Sequence, residues 1–205
     1  MTHRGNRQQD IFFDRQDRRT YKQWLRENAE RYDLDVWSYC LMTNHVHLLV
    51  VAHRSDSLAM TIGRTHGRFA QHQNRLHTWS GHLWANRFYS TPLDRSHLWA
   101  AVRYIELNPV RADLVSQAEL YDWSSARAHA RGLPDKLLSS SRPFPGRIIN
   151  WSTWLADGLR EEQIESLRKN TSTGRPCGSD RFVAALEKRL SRTLRPQKSG
   201  RKPGK

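Results

Sequence analysis

The chain has 205 residues, with 34 Lys and Arg against 20 Asp and Glu and a formal net charge of +14. That length suits one ordinary domain with an appendage; at 37% hydrophobic residues and a mean hydropathy of −0.81, a membrane protein is excluded and no signal peptide opens the chain. Cys40 and Cys177 lie too far apart for a disulfide framework or a Cys-based zinc site. These features give a cytoplasmic protein whose basic surplus points to a polyanion partner, nucleic acid first.

Along the chain, the spacing of Tyr21, Trp24, Leu25 and Asn28 predicts an amphipathic helix over 14–31 with Asp14 as its N-cap. Two strands, 34–42 and 45–51, follow around a Thr43-Asn44 hairpin signal. Residues 57–77 read as a long helix burying Leu58, Ile62, Phe69 and Leu76, and 83–93 as a third strand. A helix over 95–107 must stop near Asn108-Pro109, because the residue before proline avoids α geometry. Shorter helices are expected around 124–131 and 152–169, separated by a Ser/Pro/Gly stretch at 139–146. The class is α+β, an antiparallel sheet with helices over 1–133 and a small helical, basic extension over 134–205. From Arg175 to Lys205 ten basic residues meet only Asp180 and Glu187, a surplus of eight. The part after Arg195 has no apolar residue and is expected to stay disordered until it meets phosphates.

His45-Val46-His47 is the informative tripeptide. Side chains alternate along a strand, so both imidazoles project from one face about 7 Å apart, while Val46, Leu48 and Val50 face the core. Two histidines on a rigid strand are half of a metal site, though a lone pair of this kind is also common on plain sheet surfaces. Leu49 stands where a histidine-triad hydrolase would need its third histidine, and the Asp and His of a metallo-β-lactamase-like site do not follow. What remains is a divalent cation on two neutral histidines plus an oxygen ligand from elsewhere. Tyr104 and Asn108 are i and i+4, and on a helix they present a hydroxyl and an amide oxygen from one face.

Met42-Thr-Asn-His-Val-His-Leu-Leu-Val50, followed by Tyr104-Ile-Glu-Leu-Asn-Pro-Val-Arg-Ala112, resembles the REP-associated tyrosine transposases. These are relatives of the single-tyrosine HUH transposases of bacterial insertion sequences. His3-Arg-Gly-Asn-Arg7, Ile11-Phe-Phe-Asp14, Gly81-His-Leu-Trp-Ala-Asn-Arg-Phe88, Tyr121-Asp-Trp-Ser-Ser125 and Gly174-Arg-Pro-Cys-Gly-Ser179 match as well, in the same order. The resemblance implies a ferredoxin-like or RRM-like core. It also implies His45, His47 and Asn108 as ligands of Mg²⁺ or Mn²⁺, Tyr104 as nucleophile, and single-stranded and hairpin DNA as partners. Cleavage would leave a 5′-phosphotyrosine and support strand transfer, the work of a DNA transposase. The family's hairpin-bound forms imply a monomer, and its insertion-sequence cousins a dimer that swaps the tyrosine helix. Relatives carry more residues before the Arg-Gly-Asn piece, so the first strand is expected here as a stub. That stub weakens the sheet edge beside the site and leaves a catalytically impaired hairpin-binding protein or repressor as the alternative; a nuclease that nicks without rejoining is a third.

Arg103 and Arg111 flank the helix and, with Arg87, Arg175 and Arg181, are candidates for phosphate contacts. Trp37, Trp99 and Trp123 sit in apolar contexts and are expected in the core. Trp79 and Trp84 are also read as core, with stacking on an unpaired base as the competing role. His53, His66, His72, His77, His82, His97 and His129 lack ligand spacing and read as polar surface or phosphate contacts.

Overall fold

The computed structural model describes residues 1–140, 144, 146 and 148–196. Three strands, β1 (Thr2–Arg4), β2 (Leu34–Leu41) and β3 (His45–Ala52), form an antiparallel sheet in the order β1-β3-β2. The expected stub is thus a three-residue edge strand, paired Arg4↔His45 and Thr2↔His47. It is held further by the Met1 amino group, which donates to Leu48 O at 2.9 Å, and by Gly5 N–H, which donates to Asn44 O at 2.8 Å.

Alternation along β3 decides what each face packs against. Val46 and Leu48 are buried beneath α1 (Arg15–Arg31) and α2 (Ser57–Leu76), in a core with Ile11, Phe12, Tyr21, Leu25, Ile62 and Phe69. Each such fully buried large side chain contributes about 1.5–3 kcal/mol of transfer free energy. Asp14 caps α1 as expected, accepting from Asp17 N–H at 2.7 Å. Leu76 is a correction: it sits at the open end of α2 and is 61% exposed.

The opposite face, carrying His45, His47 and Leu49, packs against α3 (Leu98–Glu106), whose Ala101, Val102 and Ile105 are buried. A bulge between Val36 and Ser38 shifts the β2 register. It places Trp37 in this second core and Ser38 against Glu106 of α3. After α3 the chain breaks at Leu107 and restarts as a single turn, α4 (Asn108–Arg111), with Pro109 in its first turn, where a missing N–H costs nothing.

The segment 83–93 is the main departure from the sequence expectation. It meets β1 through the single bridge Thr2↔Tyr89 and the Ala85 N–H donated to Arg4 O, meets Gly5 at Trp84, and meets Cys177 at Leu93. Asn86 takes φ +48° and Pro92 lacks an N–H, so a continuous ladder cannot form. The C-terminal helices are α5 (Ala126–Arg131), α6 (Trp151–Ala156), α7 (Glu161–Thr173) and α8 (Asp180–Leu190). The single helix expected over 152–169 is split in two, with Gly158 at φ +69° in the break. Helix α8 was not anticipated, although Ser179 caps it by accepting from Phe182 N–H.

Packing runs across the boundary expected at 133. Leu137 belongs to the first core, and Leu167 and Cys177 to the second. Part of the 139–146 stretch and the tail 197–205 lie outside the described residues. Arg195, at the start of the expected disordered end, pairs with Glu187 and Asp180 on α8.

Candidate active site

Strand β3 and helix α3 bring His45, His47 and Tyr104 together. The His45 and His47 rings lie 4.9 Å apart, nearly perpendicular, and the Tyr104 ring stands 5.6 Å from His47. His45 Nδ1 is 2.6 Å from Asn44 Oδ1, an acceptor, so Nδ1 carries the proton and Nε2 keeps its lone pair. His47 makes no hydrogen bond among the described residues. Burial, with Arg4 adding to it, pushes the His45 pKa down to about 4. Burial also holds His47 well below the usual range, helped by the neighbouring His45. Both imidazoles are therefore neutral at pH 7, the form that binds a metal.

Asn108 turns its amide nitrogen back onto the helix, donating to Tyr104 O at 3.0 Å and Ile105 O at 3.3 Å. That assignment leaves Oδ1 without a partner and free to act as a ligand. Among the described residues no three His, Cys, Asp or Glu side chains gather as a metal site. Asn108 makes no hydrogen bond to either histidine among the described residues, and neither it nor His45 lines the cleft that His47 and Tyr104 share.

The arginines separate by role. Arg111 lies with its guanidinium 4.4 Å from the Tyr104 ring centroid and donates through Nη2 to Tyr104 O at 2.7 Å. Its Nη1 is buried with no partner. Arg103, by contrast, is occupied inside the fold: Nη1 donates to Gly158 O at 2.6 Å and the guanidinium covers the Trp154 ring at 4.3 Å. It ties α3 to α6, with Nε buried and unpartnered among the described residues. Arg87 and Arg181 are exposed, and neither has an ion pair or hydrogen bond among the described residues; Arg175 is half-buried beside Thr91, whose hydroxyl donates to its carbonyl.

A cleft of about 1260 Å³ opens from the His47–Tyr104 contact. Arg4 and Arg7 line it from the β1 side, Arg95 from the loop before α3, and Arg168 and Lys169 from α7. Sequence reasoning missed these five. The only available signal was the unpaired basic pair on α7, whose first turn is acidic (Glu161, Glu162).

Two residues beyond Tyr104, Glu106 is fully buried. Its Oε1 accepts from the hydroxyls of Ser38 and Ser125 and lies 2.7 Å from His129 Nδ1. Its Oε2 accepts from Trp151 Nε1 at 2.7 Å. A carboxylate so partnered locks the helix that carries Tyr104 to β2, α5 and α6. His129 is therefore interior, not surface as its spacing suggested.

The sheet thus sets a strand bearing two histidines against a helix bearing Tyr104. The chain matches the family model described as "Transposase IS200 like" over residues 3–108, and it belongs to that family. Among solved structures, a REP-associated tyrosine transposase bound to a REP hairpin matches with a TM-score of 0.54 and 17% identity. The match covers 73% of this chain and 90% of that one, a likeness of fold. No curated protein matches the chain. No helix among the described residues is long and apolar enough to cross a membrane.

Proposed function

We propose that this transposase cleaves single-stranded DNA beside a hairpin and transfers the strand through a 5′-phosphotyrosine on Tyr104. The observation that carries this is the placement of the Tyr104 ring 5.6 Å from His47, with His45 alongside. The Tyr104 oxygen attacks phosphorus, forming the P–O(Tyr) bond and breaking the P–O3′ bond; the phenolic proton passes to solvent and the departing O3′ gains one. The phosphodiester energy is kept in the new linkage, so a 3′-hydroxyl of another strand reverses the step without ATP.

His45 Nε2, His47 and Asn108 Oδ1 would hold Mg²⁺ or Mn²⁺, which when bound supplies charge relief at the non-bridging phosphoryl oxygens. Around that point the protein fixes the groups that must not move. Arg111 clamps the Tyr104 backbone and ring. Arg4, Arg168 and Lys169 give the cleft the positive lining a single strand needs. The REP hairpin in the matched structure supports a hairpin as the DNA element here. The pairing of β1 directly across from both histidines favours the active enzyme over a binding-only protein. With His47 and Tyr104 on one chain, a monomer has the whole catalytic set.

The test is covalent capture. Labelled single-stranded DNA carrying a REP-type hairpin, incubated with Mg²⁺ or Mn²⁺, should yield a 5′-phosphotyrosine adduct. Tyr104→Phe removes one hydroxyl and should abolish the adduct with binding intact. An adduct that persists in Tyr104→Phe places the nucleophile elsewhere and overturns the proposal.

A further inference from the structure

On the far side of the β2–β3 turn three rings form an open cluster that the catalytic centre does not use. Phe13 and Trp79 are 45% and 49% exposed. Trp79 stacks on His77 with centroids 4.4 Å apart and planes within 20°, and Phe13 sets its edge against both, at 4.8 and 5.5 Å. One indole face is thus covered while half of the residue remains open.

The cluster is built, not incidental. Between the two stacked rings Thr78 holds φ +56°, a conformation that costs a β-branched residue about 1–3 kcal/mol. Asn74 braces the turn on both sides, its carbonyl accepting from Trp79 N–H at 2.8 Å and its amide donating to Gly81 O at 3.0 Å. Ile11 and Phe12 N–H both donate to Thr43 O, which pins the Phe13 segment to the turn that leads into His45.

Charge identifies the occupant. From Ser57 to Leu93 the chain has no acidic residue, yet it carries Arg64, Arg75 and Arg87, besides Arg68, which pairs with Glu27. The loop after Trp79 then runs into the cleft itself, which Ala85, Asn86 and Tyr89 line together with Arg7 and Gln8. An exposed aromatic stack on an acid-free, arginine-bearing segment, continuous with a basic cleft, has the features of a single-strand platform, where bases stack on rings and phosphates meet cations.

We infer that Phe13, His77 and Trp79 form a stacking platform for an unpaired base of the DNA strand that leaves the catalytic cleft. This rests on the DNA-binding part of the proposed function and not on its chemistry. The probes are a dT20 oligonucleotide and a 20-mer of abasic residues with the same phosphates. Trp79→Ala should weaken dT20 binding about 5- to 150-fold, the usual worth of one stacked base, and leave the abasic 20-mer unchanged. Phe13→Ala should act in the same direction, and Trp79→Phe should restore most of the loss. Tyr104→Phe should bind dT20 as the wild type does, so failure to form an adduct is read separately from failure of the platform. Equal losses on dT20 and the abasic strand, or none on either, would overturn the inference. So would a Trp79→Ala protein that sediments as a smaller species with its dT20 affinity unaltered, since the cluster would then join two copies of the chain.

Discussion

On the α1–α2 side of the sheet, histidines complete a closed chain. His3 Nε2–H donates to Ala85 O, which leaves Nδ1 to accept from His66 Nδ1–H at 2.8 Å. His66 Nε2 then accepts from the Tyr21 hydroxyl at 2.7 Å. His66 also lies flat on Trp84, ring centres 3.9 Å apart. Across the sheet, one residue away in the alternation of β3, His45 and His47 keep nitrogen lone pairs that no protein group uses, and Arg111 Nη1 is buried alone. Both pairs are desolvated, and both are held in the neutral form. Burial and pKa therefore do not separate them. What does is hydrogen bonding of the rings: His3 and His66 are tied to each other, to Ala85 and to Tyr21, whereas the His47 ring has no hydrogen-bond partner among the described residues.

Substitutions should split the two pairs cleanly. His47→Ala should remove DNA cleavage below detection, as should an excess of chelator on the wild type, while the melting temperature changes little; adduct yield and calorimetry read the two effects. Undiminished cleavage in chelated buffer would erase the metal side of the contrast. His66→Ala should do the reverse, costing about 2–4 kcal/mol through the lost ring and the orphaned Tyr21 hydroxyl, measurable by urea unfolding.

Acid sharpens the same contrast on the structural side. The folded pKa of His66 lies well below 6.5 because the ring is buried. The unfolded chain therefore takes up a proton that the fold refuses once the pH falls below about 6.5. Stability contributed by the neutral ring is complete above that pH and is lost on acidification, at up to about 1.4 kcal/mol per pH unit for this one group. Unfolding midpoints between pH 7.5 and 5 should show the slope, and His66→Leu should flatten it. The smallest effect belongs to the tail. Lys198, Arg201, Lys202 and Lys205 contribute only counterion release. Deleting 197–205 should lower the salt slope of single-strand binding by at most about 3, at roughly 0.7 per phosphate contact, without moving the cleavage point.

The local signals were legible. Alternation gave β2 and β3, the cap at Asp14 gave α1, and the histidine pair does stand beside Tyr104. What the sequence concealed depends on distant partners. His66 and His129 look like surface residues because nothing near them in sequence announces Tyr21, His3 or Glu106. Residues 83–93 have strand composition, but Asn86 and Pro92 leave them with bridges instead of a ladder. Arg103 and Arg111 flank the same helix and look alike, and only the packing of Trp154 and Gly158 shows that Arg103 is already occupied. Trp79 and Trp84 were grouped together; Trp84 is interior and Trp79 is open, a difference set by the turn at Thr78.

The buried carboxylate of Glu106 bears on when the helix that carries Tyr104 can be fixed in the fold. As the chain is synthesised, Glu106 emerges before Ser125, His129 and Trp151, three of the four groups that satisfy it. Until Trp151 has been made, the tyrosine helix has a charge it cannot bury, whereas the histidine strand is already paired within the first 52 residues. A chain that ends before Trp151 would thus have its histidine strand paired before the helix that carries Tyr104 is tied down.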